Sequence, residues 1–118
     1  MKVHFGIISN SKKISVVDNI LKSVFGDINC LIEETRRESY HKNTSQMIIE
    51  GFIKNYDYIS LEQVFKQLLN PISNSWYIQI NTEDDNALEL STICDSGFSI
   101  KGLEWINFEI EISHFSMN

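Results

Sequence analysis

Two glutamates, Glu109 and Glu111, stand one residue apart in the stretch WINFEIEIS. On an extended strand they share a face about 7 Å apart by strand rise, a separation that carboxylate pairs in glycoside hydrolysis can have. General acid work needs one carboxyl in a concave, poorly solvated site, whereas two groups on an exposed strand share one environment. Catalysis is therefore not expected of them. His4, His41 and His114 show no HxH or HExxH spacing, and neither Cys30 nor Cys94 sits in a CxxC or Cys/His pattern, so no metal ligand set is expected. Glycines 6, 26, 51, 97 and 102 are scattered and form neither a GxxxxGK[ST] nor a GxGxxG loop, and there is no Gly-x-Ser-x-Gly elbow. No cofactor is implied. What Glu109 and Glu111 can do is attract positive charge, and Trp105 on the same face adds aromatic contact area.

The element that must position these side chains is the strand itself. From Trp105 to Ser113 the pattern alternates, with Ile106, Phe108, Ile110 and Ile112 on one face and Trp105, Asn107, Glu109, Glu111 and Ser113 on the other. Burying each of the four apolar side chains contributes about 1.5 to 3 kcal/mol. A slip of one residue would put both glutamates in the core, where an unpaired carboxylate costs at least several kcal/mol, so the orientation is fixed.

KVHFGII at 2–8 reads as a first strand with apolar residues on both faces, hence central or partly covered. Ser9-Asn10-Ser11 offers caps for a helix over about 12–25, with Ile14, Val17, Ile20, Leu21, Val24 and Phe25 inward and Gly26 as its C-cap. INCLIEE suits a second strand, and 36–46 reads as a polar connection in which Arg36 and Arg37 are solvated. The segment 47–55 fits either period, and the cap residues Asn43, Thr44 and Ser45 favour a helix. Tyr56-Asp57-Tyr58 reads as a loop tip. SLEQVFKQLLNP from Ser60 is an amphipathic helix with capping-box spacing between Ser60 and Gln63 and a stop at Asn70-Pro71.

From Ser75 the period becomes 2. Strands at 76–81 and 87–94 flank an acidic turn, Glu83-Asp84-Asp85-Asn86, and Asp95-Ser96-Gly97 turns again towards the last strand. Strands with short loops are antiparallel neighbours. The class is therefore α+β, a mostly antiparallel sheet of four to six strands with two or three helices on one face. The helices are expected to cover Ile78/Ile80, Leu88/Leu90 and Phe108/Ile110/Ile112, leaving Tyr77, Gln79, Asn81, Glu89, Ser91, Trp105, Glu109 and Glu111 open.

The 118 residues, 42% hydrophobic and 22% charged, suit one soluble domain, 1–118, with a core that needs no metal or disulfide staple. No apolar run could span a bilayer, and the opening MKVHFGIIS breaks off too soon for a signal peptide, so a cytoplasmic protein with reduced thiols is expected. Charge is unevenly divided. Residues 1–59 carry eight Lys or Arg and seven Asp or Glu, whereas residues 60–118 carry two against nine. That half has the wrong sign for nucleic acid and the right sign for a cationic protein.

The size, the KVHFGIIS opening, the SLEQVFKQLLNP helix, the WYIQI and FEIEI strands and the Ile-, Asn-, Ser- and Lys-rich composition resemble the immunity proteins of bacterial toxin systems, of the contact-dependent growth inhibition and polymorphic toxin type. The resemblance implies a small acidic cytoplasmic α+β or α/β protein, not an enzyme, that binds a toxin domain of a sister cell; many such toxins resemble nucleases. From the residues, the expected partner surface comprises Trp105, Glu109 and Glu111 with Tyr77, Asp84, Asp85, Glu89 and Asp95. Two alternatives stand beside it: an adaptor domain that self-associates, as a homodimer, through the sheet face or an edge strand, and a small ligand-binding domain or enzyme with a deep polar pocket.

Overall fold

In a computed structural model the described residues are 2–26, 31–54, 60–84 and 87–113. Six strands form one sheet: β1 (Lys2–Ser9), β2 (Leu31–Tyr40), β3 (Asn43–Lys54), β4 (Tyr77–Asp84), β5 (Ala87–Cys94) and β6 (Leu103–Ser113). Their order is β2-β3-β1-β6-β5-β4, and every neighbouring pair is antiparallel. The class is α+β. Helix α1 (Ile14–Phe25) joins β1 to β2, and a second helix, α2 (61–69), joins β3 to the far edge.

β6 lies at the middle of the sheet, between β1 and β5, with Phe108 opposite Phe5 on one side and Thr92 on the other. Ile106, Phe108, Ile110 and Ile112 are all buried, as are Val3, Phe5 and Ile7 of β1, so one row of branched and aromatic side chains crosses the join. Both helices cover this face. The Phe25 ring of α1 meets Phe5 at 4.7 Å between centroids, and Val64, Leu68 and Leu69 of α2 join the same cluster. Trp76, just after α2, stacks near Phe108 (5.9 Å) and donates its Nε1–H to the Leu69 and Ser73 carbonyls, which spares a half-buried indole an unmet donor.

Ser60 caps α2 as expected, its Oγ accepting from the Gln63 amide at 3.3 Å. The helix then widens: Leu61–Gln63 is α-helical and Val64–Leu69 is π-helical, with the Asn70 amide bonding back to the Phe65 carbonyl at 2.9 Å. Ser9 and Ser11 do not cap α1 with their side chains. They tighten the turn before it instead, Ser11 Oγ accepting from the Lys13 amide at 3.1 Å. Gly26 does serve as the C-cap, and Ile14 is exposed because burial along α1 begins only at its second turn. Cys94 is a buried free thiol; Cys30 and the loop tip at 56–58 lie outside the described residues.

The stretch 36–54 departs from the helix and polar connection expected of it. It forms the facing arms of a hairpin, β2 and β3, that turns at His41-Lys42. Tertiary pairing overrides the cap signal: Asn43 Oδ1 does accept from the Ser45 amide (3.1 Å), but within a strand start, and Met47, Ile49, Gly51 and Ile53 line the helix-covered face between β1 and β2. Gly51 has a reason to lack a side chain. A Cβ there would lie 2.2 Å from the Glu33 carbonyl and 3.0 Å from the Phe5 ring, so the glycine lets the bulged β2 and the core ring close in together.

A second expectation also fails. Leu88, Leu90, Phe108, Ile110 and Ile112 are covered, but Ile78 and Ile80 of β4 remain exposed, because the core cluster on this face stops at β5. Removing the central ring tests this account of the core. Phe108→Ala is expected to destabilise the fold by about 3–5 kcal/mol, read as a large drop in the urea midpoint with little change in slope.

Candidate functional site

The face turned away from the helices is built from alternate residues of all six strands. Across its middle, register places Phe52, His4, Glu109, Ser91 and Gln79 in one row and Glu50, Gly6, Asn107, Ile93 and Tyr77 in the next. A third row brings Glu111 opposite Glu89, with Asn81 beyond. Trp105, Glu109, Glu111, Glu89 and Tyr77 thus share this open face as expected.

Asp84 ends β4 opposite Ala87, at the same end of the sheet as Glu89 and Glu111. Asp95 does not join them: it follows Cys94 at the other end of β5, about 20 Å from Glu89 by strand rise. Asp85 and His114 lie outside the described residues.

The carboxylates of the two halves of this face differ in their surroundings. On the β2–β3 side each is answered by a cation. Arg36 bridges Glu38 and Glu50, the latter at 3.1 Å, and Lys54 Nζ approaches Glu33 at 3.6 Å. On the other face of the same hairpin Arg37 binds Glu34 and reaches Asp18 of α1 at 3.6 Å. Hydrogen bonds to Glu38 and to Glu34 push the pKa values of Arg36 and Arg37 respectively still higher, so both stay charged.

Among the residues whose side chains are described, Glu89, Glu109 and Glu111 make no ion pair, and Lys2 of β1 holds the register position opposite Glu111. Glu109 is half-buried and accepts a 2.6 Å hydrogen bond from Ser91 Oγ, which fixes its position. Glu89 and Glu111 stand directly opposite each other, where Cβ atoms are about 5 Å apart and like charges repel. This arrangement offers attraction for positive charge, and both carboxylates of the WINFEIEIS pair are open to it.

Trp105 is placed by a glycine. A Cβ on Gly6 would come within 2.4 Å of Asn107 Oδ1 and 3.3 Å of the Trp105 ring, so the indole and the amide lean over bare backbone of β1. Two shallow depressions adjoin there. One, of about 310 Å³, is floored by Gly6 and Gly51 and walled by His4, Phe52 and Trp105; the other, of about 450 Å³, runs on between Trp105, Ile8, Ile48 and Tyr40. The His4 and Phe52 rings meet at 4.3 Å. Ile48 and Phe52 of β3 are missing from the surface expected from the sequence because reading 47–55 as a helix removes β3 from the sheet, and His4, Gly6 and Ile8 of β1 are missing because nothing in their spacing says that β1 lies beside β6. The signal that could have found the β3 residues is the period-2 alternation of Ile48, Glu50 and Phe52 against Met47, Ile49, Gly51 and Ile53.

No group of three or more metal-ligating side chains gathers among the described residues, and no helix among them is long and apolar enough to cross a membrane. Comparisons with family models, with curated proteins and with solved structures give no match.

If the Glu89–Glu111 contact is repulsive, Glu89→Lys will raise stability at low ionic strength by no more than about 1 kcal/mol, and the gain will shrink as salt is added. Chemical denaturation at two salt concentrations measures it.

Proposed function

We propose that this chain is an immunity-type inhibitor: a small acidic cytoplasmic protein without catalytic activity that binds and neutralises a cationic toxin domain, of which a nuclease is the best fit. The observation that carries this reading is the grouping of Glu89, Glu109 and Glu111, with Glu89 directly opposite Glu111, on the same helix-free face as Trp105. A chain that pairs the glutamates of β2 and β3 with Arg36 and Lys54 but sets Glu89 directly against Glu111 tolerates a repulsion there. Binding surfaces commonly bear such a cost, since function and stability compete for the same residues.

A nuclease must be positively charged where it holds phosphates, so an acidic sheet face complements it in sign and steers its approach. Trp105, half-buried over Gly6 and about 13 Å from Glu109 by strand rise, supplies a rigid aromatic surface on the same face and suits the anchor of an interface. The size, acidity and α+β class agree with the resemblance to toxin-immunity proteins noted from the sequence. Direct binding to nucleic acid is disfavoured by the same charge.

The test is binding to the product of the adjacent reading frame, held inactive for handling. The wild-type chain should associate quickly at low salt and more slowly as salt rises, and Glu109→Lys/Glu111→Lys should slow association at least tenfold and flatten that salt dependence. Unchanged rates after the charge reversal would rule out the acidic-face reading.

A further inference from the structure

The two edges of the sheet are treated differently. β2, at one edge, is LIEETRRESY, with five charged residues and two register shifts against β3, features that discourage pairing with another strand. β4, at the other, runs YIQINT from Tyr77 to Thr82 without a charge, a proline or a register shift, and shifts only between Thr82 and Asp84. Along an edge strand, alternate N–H and C=O groups have no partner within the sheet.

Its side chains are exposed too. Ile78 is 38% and Ile80 47% exposed on the helix-covered side, and Tyr77 is 68% and its register partner Ile93 42% exposed on the other. The core row of Leu88 and Leu90 thus runs on into apolar side chains of β4 that the described residues leave partly open.

We propose that β4 pairs antiparallel with β4 of a second copy, joining two six-stranded sheets into one of twelve about a twofold axis at Gln79. The sequence of the strand is self-complementary in this register. Ile78 of each copy faces Ile80 of the other, so four isoleucines close together beside Leu90; Tyr77 faces Asn81, and Gln79 faces Gln79. The acidic end is kept apart from itself, Glu83 and Asp84 falling opposite Ser75 and Asn74 of the other copy.

Charge selects the occupant. Two copies of a chain of net charge −6 repel, but the contact is centred on the uncharged stretch Tyr77–Thr82 of β4. A cationic partner would find nothing along that stretch to attract it and is drawn instead to Glu89, Glu109 and Glu111. The pairing is independent of the inhibitor reading and leaves that surface of each copy free.

Sedimentation equilibrium of the wild-type chain should give twice the 13.7 kDa monomer mass at high micromolar concentration, dissociating on dilution. Ile80→Lys, which puts an ammonium group against Ile78 of the other copy, should sediment as a monomer with an unchanged far-ultraviolet circular dichroism spectrum. Ile78→Lys serves if the first variant folds poorly. Independently, Gln79→Cys should cross-link to itself under mild oxidation, because facing residues bring Cα atoms to about 5 Å, while Asn81→Cys should not. A wild-type chain that stays monomeric overturns the proposal. So does a dimer that both lysine variants leave intact, one that Trp105→Ala dissolves, or one in which Gln79→Cys fails to cross-link.

Discussion

The two halves of this protein are held together by one line of strand pairing, between β1 and β6. On the β1 side lie α1 and the β2–β3 hairpin, and on the β6 side the β4–β5–β6 meander; the core runs unbroken beneath the line through Phe5 and Phe108, Ile7 and Ile106, Val3 and Ile110. Because side chains alternate on both strands, burying that row dictates what faces the other way. His4, Gly6 and Ile8 must then lie beside Glu109, Asn107 and Trp105. The open face is the necessary reverse of the core.

The functional character of that reverse side follows from what each half contributes. The hairpin is rich in both signs of charge and satisfies itself, so its exposed surface is close to neutral locally despite many ionisable groups. The meander brings Glu89, Glu109 and Glu111, the last in register with Lys2 of β1, and the indole that bridges to β1. Ser91 steadies Glu109, and Gly6 gives Trp105 a flat bed; neither residue is charged or aromatic, yet each determines how a charged or aromatic neighbour is presented. A partner would meet a carboxylate cluster on one side of the tryptophan and aromatic-walled hollows on the other.

Much of this was legible wherever a strand is amphipathic over many residues. The alternation of 105–113 and of 87–94 predicted the strands, their antiparallel pairing and the side that each glutamate takes, because one hydrophobic face in a half-buried strand leaves no freedom of register. The capped helix from Ser60 was legible for the same reason, although no pattern of residue types distinguishes its π-helical turns from α-helix. Legibility failed where local and tertiary preferences disagree. Asn43, Thr44 and Ser45 are good caps in isolation, and only pairing with β1 and β2 makes 43–54 a strand. Ile78 and Ile80 alternate as core residues do, and their exposure depends on where the helix-covered core ends, which spacing within β4 does not encode. Asp95 shares its sign with Glu89, but sign says nothing of which end of a strand a residue occupies.

The pairing of β1 with β6 also bears on how the protein comes into being. Residues such as Phe5 and Phe108 are about as far apart in the chain as two residues of this sheet can be, so the central seam is a late, entropically expensive closure during biosynthesis. While the ribosome is still adding the last strand, Gly6 has no indole to support and β1 lacks its neighbour. A chain that stops short of β6 therefore lacks both the indole over Gly6 and the Glu89–Glu111 row, and a partner that needs the two together meets them only on molecules whose translation has run through β6.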